Sequence, residues 1–189
     1  MTDAIVLAGP AVEPVTLADA KSFLRLDGTD EDEVVGALVT AARLTVEARG
    51  RLALLRQTWR LRFAGWPSCR TVRVPVGPVE AVVAARLVSS AGTATVLPAG
   101  ACRLHPGGDR LLLVAADAPE PEAGGRIEVD LLCGYGTDPS AVPEPLRLAI
   151  RLLVANWFEH RGDEPDGSAL PVPPRVGALL ATYRRPRLA

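Results

Sequence analysis

The chain predicts an α+β protein: a helical bundle of two N-terminal helices, one long late helix and a short C-terminal helix, with an inserted antiparallel β-rich lobe. Three observations carry the prediction. Apolar residues recur at helical spacing toward both ends, a period of two takes over in the middle, and Gly and Pro break that middle at short intervals. The implied division puts residues 1–53 and 140–189 in a helical body and residues 54–139 in the lobe.

Thr16 stands where a helix needs a cap, with Asp19 three residues on, and Leu17, Ala20, Phe23 and Leu24 follow at helical spacing. Asp27-Gly28 ends this helix. Asp30 is placed to cap the next, and Glu31, Asp32 and Glu33 fall where the positive end of the helix dipole favours acids. Val35, Leu38, Val39, Ala42 and Val46 then form one stripe, and Gly50 is the expected C-terminal cap.

In Thr58–Phe63 the residues Trp59, Leu61 and Phe63 alternate with Thr58, Arg60 and Arg62, the pattern of a half-buried strand. Val72 and Val74, Val79–Ser89, Thr93–Leu97, Cys102–Leu104, Arg110–Val114 and Arg126–Leu132 read as further strands between turns. Short strands at this spacing make an antiparallel sheet or a small sandwich. No helical pattern alternates with them, so a parallel Rossmann-type sheet is not expected.

Helix returns over Pro143–Arg161, with Pro143 and Pro145 in a first turn that tolerates a missing N–H. Leu146, Ile150, Leu153, Val154 and Trp157 line one face. Leu148, Leu152 and Phe158 widen the stripe beyond that of an ordinary surface helix, so burial from two sides, the second by a neighbouring subunit, is expected. Residues 162–174 read as a polar, Pro-rich linker, and Val176, Leu179, Leu180 and Tyr183 mark a last short helix. From Arg175 onward the tail has four Arg and no acid.

Composition removes several functional classes. The 189 residues carry a formal charge of −1, which provides no field that would gather nucleic acid or an anionic membrane. Charge is nonetheless blocked: −5 over residues 1–50, +7 over 51–113, −6 over 114–145 and +3 over 146–189, a pattern suited to complementary contacts between copies. The longest apolar run, Leu111–Ala116, is far short of a membrane span, and no secretory signal is expected. Cys69, Cys102 and Cys133 are odd in number and form no CxxC, which favours half-buried thiols over a disulfide framework or zinc site.

A search for chemistry finds little. With Lys21 the only lysine there is no GxxxxGK loop, and GxSxG and HExxH are also missing. His105 reads as a turn residue and His160 as a helix C-terminal cap. The Asp30–Glu33 acids read as solvated helix-start charges, and Gly134-Tyr135-Gly136 as a glycine turn. No catalytic set, cofactor or metal is expected. A monomeric binding module, or an enzyme using His160, Glu159 and Arg161, is the alternative.

The succession of motifs adds a resemblance. Glu13-Pro14-Val15-Thr16-Leu17-Ala18-Asp19-Ala20-Lys21, Leu24-Arg25-Leu26-Asp27 and Asp30-Glu31-Asp32 resemble the opening of head–tail connector (neck adaptor) proteins of long-tailed phages and of phage-derived gene transfer agents. Gln57-Thr58-Trp59-Arg60-Leu61, Pro75, Pro78-Val79, Gly134-Tyr135-Gly136 with Val142-Pro143-Glu144-Pro145-Leu146, Ala149-Ile150 through Trp157-Phe158-Glu159-His160-Arg161, Leu170-Pro171 and Leu179-Leu180-Ala181-Thr182-Tyr183-Arg184 follow in the family's order. The match runs over about residues 12–185, and its specificity lies in the succession rather than in any one motif. The long β-rich middle departs from the shortest, mostly helical adaptors.

The resemblance implies a virion structural protein, made in the bacterial cytoplasm and located in the neck between capsid and tail. Such adaptors form a ring, commonly of twelve copies, under the portal protein, extend the DNA channel, and carry the stopper or tail-completion protein. Lumenal DNA contact is expected to be non-specific, and no membrane partner is implied. Leu38, Val39, Leu148, Leu152 and Phe158 are then the candidate subunit-interface residues. Val176, Leu179, Leu180, Tyr183, Arg184, Arg185 and Arg187 are the candidates for docking on the portal, in a segment over about 173–189 expected to order on binding.

Overall fold

A computed structural model describes residues 3–106, 111–160 and 172–183. The protein is α+β, with four α-helices and two antiparallel sheets among the described residues. It divides into two compact units, one of residues Met1–Pro10 and Arg56–Tyr135, the other of Ala11–Leu55 and Gly136–Ala189.

Among the described residues the first unit holds every strand: β1 (Asp3–Ala8), β2 (Gln57–Phe63), β3 (Thr71–Arg73), β4 (Val79–Val88), β5 (Ala94–Val96), β6 (Cys102–Leu104), β7 (Leu111–Val114) and β8 (Arg126–Cys133). They form a five-stranded sheet in the order β1-β2-β8-β4-β5 and a three-stranded sheet β3-β7-β6. The period of two decides the faces. Leu61, Ile127, Val129 and Leu131 are fully buried on one face, while Arg60, Arg62, Arg86, Glu128 and Asp130 alternate with them onto the other.

The strand over Asp3–Ala8 was not expected, because residues 1–53 read as part of the helical body. Its sequence has no polar–apolar alternation. It is an edge strand ordered by pairing with β2, where Ile5 lies opposite Arg60, and only the fold supplies that partner.

The second unit holds α1 (Leu17–Leu24), α2 (Asp32–Gly50), α3 (Glu144–Glu159) and α4 (Pro174–Ala181). Thr16 caps α1 as predicted, its hydroxyl accepting from the Asp19 N–H at 3.0 Å. Asp30 does not cap α2. Glu31 occupies that position with no side-chain cap bond, and Asp32 pairs instead with Lys21. Gly50 stays helical and Arg51 takes the left-handed cap at φ 53°. Gly50 serves another purpose: a Cβ there would lie 2.8 Å from Leu52 Cδ1, so the missing side chain lets the returning chain close on the helix.

Cysteine exposure gives a direct check on both sheets. Cys69 is exposed, while Cys102 and Cys133 are buried, and burial pushes the Cys102 thiol up to about 11. At about pH 8 that thiol is protonated and unreactive, since the thiolate is the nucleophile. One thiol per native chain, Cys69, is expected to react with a maleimide, and Cys102 only after unfolding. Mass spectrometry of the labelled chain reads the result, and prompt labelling of Cys102 would contradict the fold around β6.

Candidate functional site: outward helix faces and buried ion clusters

α2 carries two apolar faces. Val35, Val39, Ala42 and Val46 are buried in the helical unit. A second set, Val34, Ala37, Leu38, Ala41, Leu44, Thr45 and Ala48, repeats every three or four residues around the helix from the first and has no charged member. Val34 is 38% and Leu44 53% exposed, Ala37 and Ala48 are exposed, and Leu38, Ala41 and Thr45 are half-buried.

α3 repeats the arrangement. Leu146, Ala149, Ile150, Leu153, Val154 and Trp157 are buried, and Leu148, Leu152, Ala155 and Phe158 are half-buried on a neighbouring face. Pro143 is the residue before the helix, and Pro145 in its first turn costs no hydrogen bond. Arg147 donates to the Pro14 carbonyl at 3.2 Å and to Glu144 at 3.2 Å, tying α3 to the segment before α1. The Arg151 guanidinium lies 6.0 Å from the centroid of the Phe23 ring.

Of the predicted interface residues, Leu38, Leu148, Leu152 and Phe158 therefore retain accessible surface. Val39 does not: at 2% exposure it is a core residue, because it shares the inward stripe with Val35, Ala42 and Val46. The predicted docking segment also needs correction. Val176 and Leu180 are both 0% exposed, on a helix that packs against α3 and α2, so they hold the unit together. Leu179 and Tyr183 are half-buried, and Arg184, Arg185 and Arg187 lie outside the described residues.

Two buried ion clusters escaped the sequence-based expectations. In the helical unit Arg43, 9% exposed, donates to Glu13 at 2.8 Å and Glu47 at 2.8 Å. Glu47 also accepts the Leu54 N–H at 2.9 Å, and Thr40 donates to Glu13 at 3.1 Å. Burial opposes the charged Arg43 guanidinium, but the bond to Glu13 and the charges of Glu47 and Glu13 outweigh it and hold its pKa above the ordinary value. In the sheet unit Asp130, 5% exposed, accepts from Arg60 Nε at 2.6 Å and Nη2 at 3.0 Å, and also from Arg86. Glu128, 3% exposed, pairs with Arg126 at 2.9 Å and Arg60 at 3.1 Å. Two sequence signals pointed to them, the i,i+4 spacing of Arg43 and Glu47 and the Arg-rich alternation of β2. The partners Glu13 of Arg43, and Asp130 of Arg60 and Arg86, lie too far along the chain to be read from spacing.

Two residues of the alternative chemical site, Glu159 and His160, are described. His160 ends α3 with Nδ1 2.7 Å from the Asn156 carbonyl, as a cap residue does, Glu159 is exposed beside it, and Arg161 lies outside the described residues. Among the described residues no three His, Cys, Asp or Glu side chains converge as metal ligands, and no helix is long and apolar enough to cross a membrane.

No family model and no curated protein matches the chain. Solved structures do. A chain in the virion of a native gene transfer agent particle is 30% identical, with 98% of this chain and 97% of that one covered at a TM-score of 0.81. A chain in the neck of an empty gene transfer agent particle, computed with C6 symmetry, is 31% identical over 100% and 97% at 0.82. A chain in the neck of a native particle, computed with C12 symmetry, is 30% identical over 100% and 97% at 0.78. Likeness over the whole of both chains at this identity defines a class, the structural proteins of virus-type particles. Within it, the chain belongs to the neck proteins of phages and gene transfer agents, and its place is the neck of such a particle.

Proposed function

We propose that the protein is a head–tail connector of the adaptor type. Its copies form a closed ring, of twelve in this reading, beneath the portal protein. The ring extends the DNA channel and joins the capsid to a stopper or tail-completion protein. The observation that carries the reading is the end-to-end likeness to chains of particles whose necks are described with C12 and C6 symmetry. A head-to-tail contact that closes on itself generates such a ring, and outward apolar faces on α2 and α3 give each copy two different patches for it. In this reading the helical unit is the ring body and the strand-rich unit is the inserted lobe. The C-terminal residues Leu179, Tyr183, Arg184, Arg185 and Arg187 dock on the portal. DNA meets the lumen without sequence preference, because a tight channel would stall its passage.

The test is mass analysis of the purified chain with and without its cognate portal. Growth of the portal by the mass of one ring is the expected result. A monomer at every concentration that ignores the portal would overturn the assignment. Replacing Arg184, Arg185 and Arg187 by Ser then separates docking from ring closure.

A further inference from the structure

We infer that the outward face of α2 is the seat for α3 of the next copy in the ring, with the two helices parallel. The inference rests on the ring reading above and names the contact that closes it. Val34, Ala41 and Ala48 are each seven residues apart, and Ala37 with Leu38 and Leu44 with Thr45 fill the positions between, so the exposed face is a two-heptad seam. A seam of this period is complementary to another helix rather than to a strand or loop. It runs for about 21 Å without a charge, and its alanines let a second helix approach closely around Leu38 and Leu44.

Among the described helices α3 has a second apolar face, with Leu148, Leu152 and Ala155 half-buried along it. Charge selects the orientation. α2 starts among exposed Asp30 and Glu33 and ends at exposed Arg49 and Arg51. In the first half of α3, Arg147 and Arg151 are paired within the chain to Glu144, and Arg147 also to Asp19, while the helix ends at exposed Glu159. The parallel arrangement sets Glu159 beside Arg49 and Arg51, whereas the antiparallel one would set it beside Asp30 and Glu33. Two faces on different helices allow a head-to-tail contact, as ring closure requires.

The experiment uses the full chain bound to its portal. Ala41→Cys and Leu152→Cys stand mid-helix and face each other in this arrangement. Combined with Cys69→Ser and treated with a short bismaleimide, they are expected to give a ladder of covalent multimers extending well beyond the dimer. Leu44→Asp, at an exposed position, is expected to leave the circular dichroism and melting of the chain unchanged while lowering ring occupancy on the portal at least about tenfold. Ala48→Glu repeats the measurement if the first variant does not fold. A normal ring from both charged variants would overturn the seam and leave the ring reading standing. Cross-linking that stops at the dimer would also overturn it, since it marks a two-fold contact. If the unmodified chain forms no ring on the portal, the underlying reading fails first, and the seam falls with it.

Discussion

Asp130→Ala is expected to lower the stability of the sheet unit by about 3 kcal/mol, the loss typical of removing one partner from a buried charge cluster. The carboxylate is 5% exposed on the central strand β8 and joins its two neighbours, taking Arg60 from β2 and Arg86 from β4. That bond is the first reason the Arg60 guanidinium titrates above its ordinary value, with burial working against it. Without Asp130, two guanidinium groups with only 18% and 23% of their side chains exposed face each other across the strand. That remaining exposure places the loss at the low end of the buried-pair range. Urea unfolding followed by circular dichroism measures it. Asp130→Asn, which keeps the shape and one acceptor, is expected to lose less. A change below about 1 kcal/mol for the alanine variant would mean that the cluster behaves as an ordinary surface pair.

Arg43→Ala is expected to cost the helical unit about 3–4 kcal/mol by the same reasoning. Here the cation lies at the centre, and its removal leaves the Glu13 and Glu47 carboxylates without the charge between them, the second only 11% exposed. The long aliphatic stem is lost as well, which opens space beside Val39 and Val46. Arg43→Met restores much of the volume but none of the charge, so a similar loss is expected. Adding Glu13→Gln and Glu47→Gln to Arg43→Met is expected to recover about half of it, because neutral partners remove the uncompensated charge. Equal stabilities for Arg43→Met and the triple variant would show that packing, not charge, holds this site. The Leu54 N–H bond to Glu47 makes the consequence local: the chain leaving α2 over Leu52–Leu55 is anchored there, and Leu54 is itself fully buried.

These clusters mark where spacing stops being informative. The stripe Val35, Val39, Ala42, Val46 identifies α2 because a helix brings together residues three and four apart. The same rule finds α3 and α4, and alternation finds β2 and β8. It also shows that α3 has more apolar surface than one core needs, which leads to Leu148, Leu152 and Phe158. Which apolar stripe faces inward is a different question. Leu38 and Val39 are adjacent in the chain and equally hydrophobic, yet one keeps accessible surface and the other is 2% exposed. The choice depends on where α3 and α4 lie. Val176 and Leu180 went to the core for the same reason, although a short helix after a Pro-rich linker reads as a segment awaiting a partner.

Caps divide along the same line. Thr16 is a local cap, because its oxygen reaches an N–H three residues away, and it forms as expected. Asp30 and Gly50 look equally suitable on local grounds, but Glu31 takes the position before α2 and Leu52 approaches Gly50 closely where the helix ends. The edge strand β1 has no local signature at all. Helix positions, strand periods, the absence of familiar catalytic motifs and the order of family motifs follow from residues close together in sequence, whose interactions exist before the chain folds. The sheet order β1-β2-β8-β4-β5, the inward stripe of α2 and the ion pair between Arg60 and Asp130, 70 residues apart, exist only once packing has paid the entropy of bringing distant segments together.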